Sequence, residues 1–278
     1  MSLVTSAIAF TLAGTPPPAV QIAPNVSMPA LSLGHPDDGS QVKEGVIMWV
    51  NNGGRGLDTA YSYHNQAEVA AGVRAVMAKG VVREDLFITT KISPHQCTRA
   101  AALAAVESDI KELDGLIPDL VLHHHPCSGH HSSGTNAQVW LGLQDALKQR
   151  LTRAIGVSNY NSSQLEELLA MAGVPPALNQ CQMSIGSHDD ATINFCRKHG
   201  ITYEAFSALR HIDLSDPSLT QVASAHQVST AQVALRWVVQ QGVPLATSPG
   251  GNPEYIAADL AIGDFTLADE EMALLSKL

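Results

Sequence analysis

The sequence predicts an α/β protein, a single-domain (β/α)8 TIM barrel, from three observations: eight short apolar runs, helical spacing between them, and no glycine-rich phosphate turn after the first run. The runs read as buried strands: Ala30–Leu33, Gly56–Asp58, Leu86–Lys91, Leu120–His124, Ala154–Ser158, Asn179–Met183, Thr202–Phe206 and Pro244–Thr247. Between them, Leu103, Val106, Ile110 and Leu113 recur at helical intervals before Pro118 stops the helix. Val139, Leu143 and Leu147 repeat the pattern, as do Leu165, Leu168 and Leu169, with Ser162 as the expected N-cap. Strand–helix alternation implies parallel pairing through right-handed crossovers. A doubly wound nucleotide fold would carry a Gly-rich turn after its first strand, where this chain has Leu33-Gly34-His35-Pro36 followed by acidic residues.

Residues 1–24 contain no charged side chain and are rich in Ser, Thr and Pro, so they are expected to form an N-terminal extension or hairpin, with the barrel spanning 25–278. At 278 residues the chain buries enough surface to need no staples. A net charge of −10 repels phosphate backbones and anionic lipid, which argues against nucleic-acid and membrane partners. No run of about 20 apolar residues is present to span a bilayer. The four cysteines, Cys97, Cys127, Cys181 and Cys196, are widely spaced and are expected to be reduced thiols. No Lys or Arg precedes the apolar run Val4–Ala13, so a signal peptide is disfavoured and a cytoplasmic location is expected.

In such a barrel the strand C-termini share one mouth, where active sites sit. Read in order, those ends supply Asp58, Tyr63 just beyond it, Lys91 and His124. The set suits carbonyl reduction, because hydride arrival at a C=O leaves an alkoxide that needs a proton. A phenol of ordinary pKa, about 10, donates reluctantly, and a neighbouring ammonium stabilises the phenolate. Asp58 keeps Lys91 charged, and His124 orients the carbonyl oxygen or shares the proton.

The residues around this set carry a family resemblance. Gly56-Leu57-Asp58-Thr59-Ala60-Tyr61-Ser62-Tyr63, Phe87-Ile88-Thr89-Thr90-Lys91 and Asp119-Leu120-Val121-Leu122-His123-His124-His125-Pro126 resemble the aldo-keto reductase signatures that bear the catalytic tetrad. Ile155-Gly156-Val157-Ser158-Asn159-Tyr160, Asn179-Gln180 and Ala205-Phe206-Ser207-Ala208-Leu209 are similar to the family's cofactor segments. The resemblance implies reduction of aldehydes or ketones by NAD(P)H, with Tyr63 as general acid. It implies that Ser158, Asn159 and Gln180 bond the nicotinamide carboxamide and that Phe206 stacks on the ring, with Ser207, Leu209, Thr247 and Ser248 also on the cofactor. Substrate-pocket positions are then His35, Ser62, Ser93 and His125.

Two departures bear on the cofactor. Where NADPH-using relatives carry a Lys and an Arg for the 2′-phosphate, this chain has Thr247 and Tyr255, and from Ile201 to Leu278 its only cations are Arg210, Arg236 and Lys277. The family implies NADP(H), while the missing charges leave NAD(H) or dual use open, since charge-assisted bonds usually set that preference.

His123, His124, His125, Cys127, His130 and His131 suggest a metal site, but alternate residues on a strand face opposite sides, so His123 is expected in the helix layer and no metal is expected. The competing readings are a nicotinamide-binding redox sensor or regulatory subunit, and a metal-dependent barrel hydrolase. The partners expected are a small carbonyl substrate and no second subunit.

Overall fold

The structure is a computed structural model describing residues 16–34, 41–93, 97–127, 134–171 and 173–278. Among these residues, eight strands close into a parallel barrel: β3 (Leu31–Leu33), β4 (Gly56–Asp58), β5 (Phe87–Ile92), β6 (Leu120–His123), β7 (Ala154–Ser158), β8 (Leu178–Gln182), β9 (Thr202–Phe206) and β10 (Leu245–Thr247). Closure runs from β10 to β3 on one side and β9 on the other, which leaves the barrel sheet without an edge. Two strands, β1 (Val20–Ala23) and β2 (Val26–Met28), form a separate antiparallel hairpin. The hairpin expected within residues 1–24 therefore extends to Met28, with Asn25 in the left-handed region at its turn.

The hairpin closes one end of the barrel. Ile22, Val26 and Met28 pack with Phe87, Leu120, Leu122, Ala154 and Leu178 in an apolar cluster of their own. Arg153 reaches from the barrel to the hairpin turn, donating to the Asn25 carbonyl at 3.3 Å. The same arginine donates to Asp119, which also accepts from Arg83 and from the Ile88 N–H, so one buried carboxylate ties β5, β6 and the approach to β7.

The helices are α1 (Val42–Asn51), α2 (Gln66–Met77), α3 (Arg99–Glu112), α4 (Asn136–Lys148), α5 (Ser162–Leu169), α6 (Asp190–His199), α7 (Pro217–His226), α8 (Thr230–Gln240), α9 (Pro253–Leu260) and α10 (Asp269–Leu275). Their apolar faces meet the outer faces of the strands in one large cluster, anchored by Trp49, Trp140 and Trp237. The N-cap of α5 is Asn161, not Ser162: its side chain accepts from the Gln164 N–H while Gln164 bonds back to it. The barrel wall is tight at Gly156, where a Cβ would stand 2.5 Å from the Leu178 carbonyl oxygen and 2.8 Å from Leu122 Cδ2. No helix among the described residues is long and apolar enough to cross a membrane.

Two cysteines are paired, contrary to the expectation of four free thiols. Cys97 and Cys127 form a disulfide, with Cα atoms 6.2 Å apart, while Cys181 and Cys196 are free. The pairing follows from register: Ile92 of β5 lies beside His123 of β6, so the loops leaving those strands start side by side and carry their cysteines together.

Candidate active site

Asp58 ends β4, and the chain then turns through Thr59 and Ala60 into a single 3₁₀ turn, Tyr61–Tyr63. Two buried hydrogen bonds hold that turn. Thr59 donates to Asn65 Oδ1 at 2.6 Å, and Gln66, the first residue of α2, donates to Thr90 Oγ1 at 2.8 Å. His64 takes a left-handed conformation between them, which aims the phenol of Tyr63 inward.

The four tetrad residues meet. Lys91 is 1% exposed and donates to Asp58 Oδ1, to the Thr59 carbonyl at 3.3 Å and to the Tyr63 hydroxyl at 3.3 Å. Its ammonium also lies 4.9 Å from the centre of the Tyr63 ring. The His124 ring stands edge-on to Tyr63, centroids 5.5 Å apart. Burial alone would strip charge from Lys91, but Asp58 and Tyr63 outweigh it and hold the ammonium above its ordinary value.

Tyr63 shows a competition. Burial raises the phenol, Lys91 lowers it, and burial wins, so the proton stays on Tyr63 at neutral pH. The expected lowering by Lys91 is present but smaller than the desolvation. His124 goes the other way: burial and the nearby ammonium push its imidazole down to about 3, so it is neutral at any physiological pH. It can donate or accept a hydrogen bond; it is not a reservoir of positive charge.

Ser62 Oγ lies 3.2 Å from His124 Nδ1, and the exposed His125 ring stacks on His124 with centroids 4.5 Å apart. Ser93 is half-buried just past the end of β5. His35, with Pro36, His130 and His131, lies outside the described residues. His123 faces away from this mouth, as strand alternation requires: its Nδ1 meets the Tyr160 hydroxyl at 2.6 Å in the helix layer.

The next two strand ends form a second hydrogen-bonded group. Ser158 donates to the Gln180 carbonyl at 2.8 Å, and Asn159 Nδ2 donates to the His124 carbonyl at 2.9 Å and to Ser158 Oγ at 3.0 Å. Asn159 adopts a left-handed φ of 62°, a conformation Asn tolerates better than most residues. Asn179 secures that turn, donating to the Tyr160 carbonyl at 2.9 Å. Gln180 directs its amide nitrogen inward, to Asp58 Oδ2 and to Glu204 Oε2, both at 2.8 Å. With both amide hydrogens spent, its carbonyl oxygen is the group left to offer a ligand.

These residues fit a nicotinamide: an amide oxygen to accept from a carboxamide N–H and, two residues past the Glu204 that pairs with Gln180, the half-buried ring of Phe206 at the end of β9. Ser207 follows with φ 56°, a left-handed position costly for a residue with a Cβ, and Leu209 is exposed just beyond. Ser248 is exposed at the end of β10. Thr247 instead turns its hydroxyl to Asp259 Oδ2 at 2.7 Å, within the fold. At the start of α9, Asn252 Oδ1 accepts from the Glu254 and Tyr255 N–H groups, and Pro253 has no N–H, so those donors are already engaged.

Sequence reasoning missed Glu204, fully buried inside the barrel at the position of β9 beside Gln180. The signal was a carboxylate two places before Phe206, on the same inward side of an otherwise apolar strand. It also missed the Gln66–Thr90 bond and Asn179, whose roles depend on which strands become neighbours.

A half-buried phenol backed by a buried ammonium, at the mouth of a parallel barrel, can pass a proton to or from a carbonyl or alcohol oxygen. That defines the class as a barrel oxidoreductase acting at C–O bonds. Comparison with known proteins agrees: residues 32–278 match the model of the Aldo/keto reductase family. The chain is similar to a glyoxal reductase of Bacillus subtilis, 35% identical over 93% of this chain and 92% of that one. It is also similar to a morphine 6-dehydrogenase of Pseudomonas putida, 34% identical over 94% and 91%. Among solved structures it resembles a Bombyx mori aldo-keto reductase in complex with NADP, with a TM-score of 0.88 at 27% identity over 95% of this chain and 93% of that one. The chain belongs to the aldo/keto reductase family and is an NAD(P)H-dependent oxidoreductase that reduces carbonyl compounds.

Proposed function

We propose that Tyr63 protonates the substrate oxygen, with Lys91, Asp58 and His124 preparing it to do so. The observation that carries this reading is the contact of the buried Lys91 ammonium with both Asp58 and the Tyr63 hydroxyl. The nicotinamide, when bound, supplies the hydride. Gln180, Ser158 and Asn159 would hold its carboxamide and Phe206 would offer a stacking face, with Ser207, Leu209 and Ser248 on the same side of the mouth. His124, neutral, takes the tautomer that leaves Nε2–H toward the substrate when Nδ1 accepts from Ser62, and so donates a hydrogen bond to the carbonyl oxygen. As negative charge grows on that oxygen, the phenolic proton moves to it and Lys91 stabilises the phenolate left behind. Ser62, Ser93 and His125 line the way in.

Replacing Tyr63 by Phe tests the assignment. Carbonyl-dependent oxidation of the cofactor should fall by at least about a hundredfold while cofactor affinity changes little, because only the transition state uses the hydroxyl. Undiminished turnover in the Phe variant would overturn the assignment.

The cofactor reading is NADP(H) with a weakened preference over NAD(H). Tyr255 is 60% exposed where a cation would grip a 2′-phosphate, Thr247 is committed to Asp259, and the first amides of α9 are committed to Asn252. A kcat/KM ratio for NADPH over NADH well below about a thousandfold is expected, since the charge-assisted bonds worth roughly 4 kcal/mol are missing. We further propose a monomer acting on small diffusible carbonyls in the cytoplasm, a location against which the Cys97–Cys127 disulfide counts, since such links are rare in reducing compartments. Thiol trapping on freshly lysed cells tests the compartment through the Cys97–Cys127 pair.

A further inference from the structure

Glu204 is a buried carboxyl that the proton-transfer chemistry above does not use. It is completely shielded from solvent, and its Oε1 has no hydrogen-bond partner among the described residues. Its Oε2 accepts from Gln180 Nε2 at 2.8 Å, and the same nitrogen donates to Asp58 Oδ2 at 2.8 Å. Asp58 is bonded to Lys91, and Lys91 to the Tyr63 hydroxyl. An unbroken chain of polar contacts thus runs from Glu204 through Gln180, Asp58 and Lys91 to the proton donor.

The charges in that chain do not balance when every carboxyl is ionised. Glu204 faces Asp58 from β4 and Lys91 from β5, with Tyr63 beyond them; among the described residues its partner on β8 is the neutral Gln180, and the part of β10 paired with β9, Leu245 and Ala246, is apolar. One ammonium therefore serves two carboxyl groups in a medium that penalises unpaired charge. Asp58, in direct contact with Lys91, takes the pairing. Glu204 is left with an amide, and burial first, then the Asp58 charge, pushes it up to about 8. Gln180 is suited to this arrangement, because a carboxyl oxygen accepts its N–H whether the acid is neutral or ionised.

We propose that Glu204 is a positioning residue that sets the pH at which Tyr63 releases its proton: neutral, it leaves Lys91 to Asp58 and the phenol; ionised, it adds a second negative charge that holds the phenolic proton in place. The inference rests on Tyr63 being the proton donor. Its consequence is directional. Carbonyl reduction needs the phenol and alcohol oxidation needs the phenolate, so Glu204 keeps the enzyme poised for reduction in mildly alkaline conditions.

The test uses Glu204→Gln, which keeps an oxygen for the Gln180 N–H and cannot ionise. In cofactor-free protein, tyrosinate absorbance is followed against pH, and the same titration of Tyr63→Phe isolates the contribution of Tyr63. In E204Q that contribution should appear lower by on the order of one pH unit, the size of one charge removed within a protein interior. The alkaline rise of kcat/KM for alcohol oxidation should move down by the same amount. If E204Q does not fold, Glu204→Met, neutral and of similar volume, carries the same expectation. A variant whose tyrosinate titration and alkaline rise coincide with those of the wild type would overturn the proposal, even if it were less stable, because a structural role lowers stability without moving either curve. Should Y63F instead keep full activity, the donor assignment itself fails; an inactive Y63F with an unmoved E204Q curve condemns Glu204 alone.

Discussion

At the residue scale, what could be read from the sequence was polarity at strand ends. Asp58, Tyr63, Lys91 and His124 stand out because each interrupts or follows an apolar run where a barrel opens its mouth. Asp109 gives no such signal. It lies inside a helix, where an acid is usually solvated, yet here it is completely buried and accepts from Thr90 Oγ1 at 2.9 Å, with Thr90 in turn accepting from Gln66. Only folding reveals that this turn of α3 faces β5. Burial pushes Asp109 up to about 7, far above the ordinary carboxylate range near 3.9. The sign follows: the folded state binds the proton more tightly than the unfolded chain, so the favourable contribution is complete below about pH 4 and is lost as pH rises through 7. The loss amounts to a few kcal/mol, on the order of 4 at most. Asp109→Asn removes the charge and should raise Tm relative to wild type at pH 8.5 while gaining little or nothing at pH 4. Parallel Tm–pH curves for the two proteins would contradict this account.

At the element scale, strands were more legible than what joins or seals them. All eight barrel strands fall within a residue or two of the apolar runs, because a parallel strand is buried on both faces and reads as continuous apolar sequence. The N-cap of α5 was misplaced by one residue, since Asn161 and Ser162 are both good caps and only backbone geometry chooses between them. The plug was seen only as an unplaced hairpin. Nothing in Val20–Met28 announces that Ile22, Val26 and Met28 will seal a barrel, because the surface they cover comes from four other strands. Asp119 shows the same gap: it was read only as part of the His124 motif, yet it links Arg83, Arg153 and the Ile88 amide at the sealed end. Replacing Asp119 by Ala leaves two guanidinium groups facing each other and a buried N–H unmet. The expected cost is about 3 kcal/mol or more in urea unfolding, with KM for cofactor and carbonyl nearly unchanged because the mouth lies at the opposite strand ends.

At the scale of the whole molecule, the Cys97–Cys127 link joins two loops at the rim where Ser93 and His125 stand, although 30 residues separate the cysteines in the chain. Spacing alone suggested free thiols; the pairing required knowing that β5 and β6 are neighbours in register. Cys181 and Cys196 remain inert, held by burial at about 12 and about 11, so thiol reagents should react slowly with the oxidised protein and, after reduction, first at the rim. A cross-link closing a loop of this length restricts the unfolded chain by about 3–4 kcal/mol on the chain-entropy view. For a protein of this size that corresponds to a fall in Tm of roughly 5–10 °C on reduction. The Cys97→Ser/Cys127→Ser double variant should match the reduced protein and show no further response to dithiothreitol. The tetrad sits on strand ends rather than on these loops, so kcat for a small aldehyde should change by less than about threefold, whereas KM for bulkier carbonyls, which reach the rim, should respond more. A reduced protein that melts with the oxidised one would show that the two loops are held by their other contacts, the Thr135 N–H on the Cys97 carbonyl and Asn136 on the Cys127 N–H, without help from the disulfide.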